Sequence, residues 1–147
     1  MSESNESSSA PEQDRPALGA RGEQLAADHL VEQGWEILER NWTTSVGEVD
    51  IIARRFEERY GRSIEQVIFV EVKTRRARTM RDRPEASVTA TKRKRLAKLA
   101  RLWMKVNRPP RAEQPVSLRF DVIGVVIGQG VKLAHTASAF DEQGRLL

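Results

Sequence analysis

Asp50, Glu71 and Lys73 lie within two of the most apolar runs of the chain, "EVDIIAR" and "VIFVEVKTR". Burying charge there is costly unless something compensates it. Glu71 and Lys73 are two residues apart, so an extended strand puts both side chains on one face, with the main-chain carbonyl of Val72 between them. If the strand that carries Asp50 runs beside the strand that carries Glu71 and Lys73, all three groups converge at one edge of a sheet. Glu23 falls in the first turn of an expected helix, on or beside the face that packs inward, and can join them. Carboxylates gathered in this way repel one another, and excluding water raises the penalty until some of them hold a proton. A divalent cation removes the conflict. Hard oxygen ligands without sulfur suit Mg²⁺ or Mn²⁺, with Asp50, Glu71 and the carbonyl of Val72 as metal ligands and substrate phosphate and water completing the shell. Phosphodiester hydrolysis needs these same parts plus a cation near the nucleophile, a role for Lys73. The tripeptide "EVK" alone is a weak signal, because ion pairs at exposed strand edges are common. Its weight comes from Asp50 and Glu23 before it and from the charge that follows.

From Lys73 to Arg111 the chain carries 15 Lys and Arg against only Asp82 and Glu85, a local charge of +13, while the remainder carries −9 within a net +4. Such a block points to a polyanion, usually nucleic acid. Arg75 and Arg76 continue the strand of Glu71 and are candidates for phosphate contacts. Lys92, Arg93, Lys94 and Arg95 start a second helix, where positive charge opposes the helix dipole unless an anion docks. Contacts of this kind give affinity without base specificity and a strong dependence on salt.

The elements that must position these residues follow from periodicity. Residues 1–17 are rich in Ser, Glu, Asn and Pro and read as a disordered tail, leaving 18–147 as a single domain. Apolar residues recur at helical spacing from Gly19 to Gln33, and Gly34 stops that helix. "WEILERNW" and "EVDIIAR" read as a hairpin around a turn at Thr43 to Gly47, with Glu48, Asp50 and Ile52 expected on one face. The polar stretch "RRFEERYGRSIEQ" is a loop or an extended hairpin tip. "VIFVEVKTR" is apolar enough for a central strand covered on both faces. "ARTMRDRPEA" reads as a mobile connection, and Ser87 to Val106 as a second long helix with Ser87 or Thr89 as its N-cap. "VSLRFDVIGVVIG" and "VKLAHTA" are the last two strands. Helix, strands, helix, strands suits a mixed α/β sandwich in which helices cover a small sheet. There are no cysteines, which excludes disulfides and thiolate metal sites. No apolar run reaches the roughly 20 residues of a membrane span, and the first residues do not resemble a secretory signal, so a soluble, cytoplasmic protein without a membrane partner is expected.

The blocks "GARGEQLAADHLVEQGWEILERNW", "GEVDIIAR", "FVEVKTR", "VTATKRKRL" and "RFDVIGV" together resemble the bacterial YraN-like family, an endonuclease-like group of the PD-(D/E)XK nuclease superfamily. The resemblance runs from Gly19 to Phe140. It implies a restriction-endonuclease-like mixed sheet flanked by helices, with the core motif on Asp50, Glu71 and Lys73 and the helix acid on Glu23. Val49 stands where the superfamily often has a proline. Lys92 matches a family position and is the first choice within its basic run.

The expected activity is a Mg²⁺- or Mn²⁺-dependent endonuclease that acts on DNA, branched or single-stranded, in repair or recombination. Asp50 and Glu71 would bind the metal, Lys73 would orient or polarise the water, and Glu23 would assist. The alternative is a non-catalytic nucleic-acid-binding accessory protein with the same fold, and a membrane-surface protein ranks third. Nucleases that cut two strands often work as pairs, which leaves a homodimer open. Arg119 and Asp121 are expected to form a structural ion pair. His29 and His135 show no spacing that suggests a pair, and Trp35, Trp42 and Trp103 are not assigned to the site.

Overall fold

The computed structural model describes residues 14–79, 81–84, 87–108 and 115–147. Five strands form one mixed sheet in the order β1 (Glu36–Thr43), β2 (Glu48–Arg59), β3 (Arg62–Arg76), β4 (Val116–Ile127) and β5 (Val131–Phe140). Neighbours are antiparallel except β3 and β4, which run parallel and therefore need the long crossover that contains α2 (Ala90–Asn107). The first helix, α1 (Asp14–Glu32), precedes the sheet. This is the α/β arrangement expected, a mixed sheet with two helices, consistent with a restriction-endonuclease-like fold.

β3 is the central strand because its middle, Glu65 to Glu71, is buried throughout. Its odd and even residues enter different cores. Val67 and Phe69 join Phe120 and Val122 beneath Leu96, Leu99 and Trp103 of α2. Ile68 and Val70 join Ile123 and Val125 beneath Ala26, Ala27 and Leu30 of α1. Each such large side chain contributes about 1.5–3 kcal/mol on burial, so the two helices are held mainly by these stripes. Alternation is broken at the start of β2, where Val49 packs with Ile52 on the α2 side while Ile51 packs on the α1 side.

The stretch read as a loop or hairpin tip is strand on both sides of a two-residue turn. Tyr60 and Gly61 have φ of 51° and 73°, the backbone that two-residue hairpin turns require. Thr89 caps α2, its hydroxyl accepting from the Lys92 N–H at 3.3 Å. α1 begins at Asp14, so residues 14–17, read from the sequence as tail, belong to the helix; the rest of that tail lies outside the described residues. Parts of the two connections flanking α2 do so as well. In the first of them, expected to be mobile, the Asp82 carboxylate accepts from the N–H groups of Arg78 and Thr79, from the Thr79 hydroxyl and from Arg75. Among the described residues no helix is long and apolar enough to cross a membrane.

Candidate active site

The β2–β3 register aligns Ile51 with Val70, and the next step towards the start of β2 brings Asp50 to Glu71. Asp50 Oδ2 accepts from the Val72 N–H at 2.8 Å. A strand residue directs its N–H and its C=O to the same side, so the Val72 carbonyl faces the same edge as that N–H. Glu48, Asp50, Glu71, Lys92, Arg95 and Leu96 line a cavity of about 200 Å³ between the sheet end and the first turns of α2. Gly47 allows this closeness: a Cβ there would come within 2.9 Å of Arg95 Cδ. From the other helix, Glu23 completes a cluster with Glu48 and Asp50 in which one carboxylate oxygen from each lies within 4.8 Å of the others. α1 reaches the site because Gly22 lies flat against Thr74 of β3, where a Cβ would fall 1.8 Å from Thr74 Oγ1.

The electrostatics follow from this crowding. Burial pushes the Asp50 carboxyl up, and the charges of Glu71, Glu23 and Glu48 push it further; the Val72 N–H opposes them, and the outcome is about 8. Glu23 is raised as well, chiefly by burial, with a side-chain hydrogen bond to Asn41 opposing and Glu48 adding to the rise. Glu71, only 4% exposed, is engaged by the Lys92 ammonium. The anion expected to dock on the basic start of α2 is therefore, in this state, a carboxylate of the protein itself. Three carboxylates within mutual reach, with a partly protonated member at neutral pH, form a donor set that fits a hard divalent cation.

Of the residues singled out from the sequence, Glu23, Asp50, Glu71, Val72, Lys92 and Arg95 come together here. Lys73 is half-buried two residues beyond Glu71 on β3 and does not line the cavity; the cations that do are Lys92 and Arg95. Arg93 points away from it. Its guanidinium donates to the carbonyls of Gly144 at 2.8 Å and Val88 at 2.6 Å, which ties the C-terminal turn to α2. Arg75 is likewise occupied, at 3.2 Å from the Asp82 carboxylate. Arg76 and Lys94 are exposed, as phosphate contacts require. Glu48 was not singled out, although its place two residues before Asp50 on an expected shared face was the signal. A larger cavity of about 420 Å³ lies between the segment after β3 and the β4–β5 turn. The one acid lining it, Asp82, is already satisfied by the loop it organises, so this cavity gathers no cluster of acids like that of the smaller pocket.

Arg119 and Asp121 form the expected ion pair, with both guanidinium contacts within 2.9 Å. His29 and His135, expected to be unrelated, meet in space with His29 Nε2 3.1 Å from His135 Nδ1. They are 106 positions apart, and only the placement of β5 beside β4 brings them together. Trp35 is buried with the guanidiniums of Arg55 and Arg119 against its ring, at 4.2 and 5.0 Å from the centroid, and Trp103 is in the α2-side core.

Residues 22–125 match the model of a family described as "Uncharacterised protein family UPF0102". Relatives carry the same designation. A UPF0102 protein of Trichlorobacter lovleyi is 42% identical over 127 residues, covering 85% of this chain and 91% of that one. One from Nocardia farcinica is 42% identical over 117 residues, covering 80% and 82%. One from Mycobacterium sp. (strain KMS) is 45% identical over 115 residues, covering 78% and 77%.

Proposed function

The chain belongs to the UPF0102 (YraN-like) family, and from that premise we propose that it is a metal-dependent endonuclease hydrolysing DNA phosphodiester bonds in repair or recombination. One observation carries the reading: Asp50 sits among three carboxylate neighbours, Glu71, Glu23 and Glu48, with the Val72 backbone fixing its orientation. A structural role would not call for so many like charges at one sheet end, since each raises the cost of the others.

Asp50, Glu71 and the Val72 carbonyl are the proposed ligands of Mg²⁺ or Mn²⁺, with Glu48 and Glu23 supporting the cation directly or through its water. The bound cation would neutralise charge developing on the phosphate and lower the pKa of a water. Lys73, on the strand face of Glu71, is assigned to orient that water. Lys92 and Arg95 border the pocket and are placed to receive a phosphate once Glu71 turns to the cation. Arg76 and Lys94 extend the basic surface along which the DNA backbone would lie.

The accessory reading draws on one observation, that Lys73 is outside the pocket lining while Lys92 already holds Glu71. Cleavage of a panel of flapped, branched and single-stranded DNA with Mg²⁺ or Mn²⁺ separates the two. The endonuclease reading expects cutting that disappears in Asp50→Ala and Lys73→Ala while DNA binding survives. Binding without cutting in the wild type, with either metal and on every structure, supports the accessory protein instead.

A further inference from the structure

On the α1 face of the sheet, around Asp121 of β4, which pairs with Val70 next to Glu71, four polar side chains form a chain that the proposed nuclease chemistry does not use. Asp121 is fully buried and held by Arg119 through both carboxylate oxygens. A register shift between β4 and β5 turns the Ser138 N–H onto its Oδ1 at 3.1 Å, with Ser138 at φ 53°. Its Oδ2 also lies 2.7 Å from His135 Nε2. When His135 donates through Nε2 to this carboxylate, its Nδ1 presents a lone pair towards His29.

We propose that His29 and His135 together form a binding site for a borderline divalent transition-metal ion, Zn²⁺ foremost. Two histidine nitrogens on one tetrahedral zinc, each at about 2.0–2.1 Å, are about 3.3–3.4 Å apart. His29 Nε2 and His135 Nδ1 are 3.1 Å apart, so a few tenths of an ångström of opening admits the ion. The rings meet nearly at right angles, at 79°, and their planes do not overlap. His135 already has the outer carboxylate that metal-binding histidines commonly possess, which fixes the tautomer and raises the basicity of the liganding nitrogen. Glu32 follows His29 by three positions on α1, one turn along the same face, and its charge already acts on His29. As the third protein ligand of this assignment it must turn towards the ion, because its carboxylate does not lie within 4.8 Å of both ring nitrogens, and water completes the shell. Burial, followed by His135, lowers the His29 pKa, which favours the neutral ring a metal needs. Soft and borderline ions choose these nitrogens, whereas Mg²⁺ chooses the oxygen donors of the acidic pocket. Loading this site would pin the last turn of α1 to the edge strand β5 and involves no step of the nuclease proposal.

Titration of the full chain with Co²⁺, followed by visible absorption, tests the assignment, since tetrahedral nitrogen-ligated cobalt absorbs far more strongly than an octahedral oxygen site. One equivalent with such a spectrum is expected, displaced by Zn²⁺ and unchanged in Asp50→Ala. His29→Ala, His135→Ala and Glu32→Ala should each weaken binding, the two histidine variants by about 10-fold or more. Zn²⁺ should raise the wild-type Tm and leave that of His29→Ala unmoved. Absence of the tetrahedral spectrum, its loss in Asp50→Ala alone, or its survival in both histidine variants overturns the site and leaves an imidazole–imidazole hydrogen bond only. His29 is half-exposed on a helix surface, so its variant keeps the test decisive if His135→Ala fails to fold.

Discussion

Asp50 and Asp121 sit on two strands of one sheet, and for both of them burial is the largest influence and pushes the pKa up. Asp121 is the more deeply buried, yet its pKa ends below the ordinary value, while that of Asp50 ends at about 8. Partners account for the reversal. Asp121 faces His135, Arg119 and the Ser138 N–H, which together outweigh its desolvation. Asp50 faces Glu71, Glu23 and Glu48 and has one backbone N–H in its favour. Burial depth therefore says little about purpose. A compensated carboxylate organises the fold, and an uncompensated one is what the proposed cation site requires.

The hardest test of that contrast is to remove Asp121. Asp121→Ala leaves the Arg119 guanidinium, 17% exposed, without its partner and strands the Ser138 N–H. Breaking a buried pair from one side costs about 3–5 kcal/mol, so urea unfolding should show a loss of that size. A loss below about 1 kcal/mol, the range of exposed pairs, would mean that the cluster is not compensated in the way described.

Asp50→Asn should go the other way. In the metal-free protein at pH 8 the amide removes a like charge from a crowded pocket, and stability should rise by about 1–2 kcal/mol, well short of what the pKa shift alone would convert to. DNA cleavage should be lost in the same variant. The gain must depend on pH with a definite sign. The folded pKa of Asp50, about 8, lies above its ordinary 3.8. The native state thus binds more protons than the unfolded state between these values, and the contribution of Asp50, complete below about 4, is lost as pH rises through 8. Asp121 has the opposite shift, so its contribution is present at neutral pH and is lost as pH falls below its ordinary carboxylate range. Denaturation of wild type and Asp50→Asn from pH 5 to 9 isolates the first effect, and the two curves should converge towards acid. Curves that stay parallel would place Asp50 in the compensated class.

Much of this contrast was legible in the chain and part of it was not, for a physical reason. The period-two run around Glu71 and the unusual charge at Asp50 report local burial, and short hairpin connections make β2 and β3 neighbours, so Asp50 beside Glu71 could be anticipated. Pairings set by distant topology could not. His135 reaches His29 only because β5 adds to the edge beyond β4, and the Ser138 N–H reaches Asp121 only through a register shift. Charge counting also overstates the free basic surface. Arg75 and Arg93 look identical in sequence to Arg76 and Lys94, yet the first two are consumed by Asp82 and by the carbonyls of Val88 and Gly144.

Gly22 offers a smaller perturbation of the same pocket. Gly22→Ala drives a methyl into Thr74 Oγ1 and must lift α1 from β3 at the turn that carries Glu23. Overpacking of this kind costs about 1–3 kcal/mol, and no rotation of Thr74 relieves it fully, because the added carbon also falls 2.6 Å from Thr74 Cβ. Cleavage should fall together with stability. In Gly22→Ala combined with Thr74→Ser, which removes the γ-methyl and leaves the hydroxyl freer to turn aside, part of both should return. Loss of stability with full cleavage would show that the position of Glu23 does not matter.

The smallest effect expected is the most discriminating, because it compares like with like. Lys92 holds Glu71 as Arg119 holds Asp121, a cation on a buried carboxylate in each case. Lys92 is 45% exposed and Arg119 is 17% exposed. A solvated ammonium on a long side chain contributes about 0–1 kcal/mol. Lys92→Met should therefore shift the unfolding midpoint barely at all, whereas Arg119→Met should cost several-fold more. Lys92→Met should also tighten Mg²⁺ binding in a fluorescence or calorimetric titration, since the cation no longer competes with an ammonium for Glu71, while lowering DNA affinity and its salt dependence by about one phosphate contact. Equal destabilisation by the two substitutions would erase the distinction between a carboxylate held for the fold and one held ready for a metal.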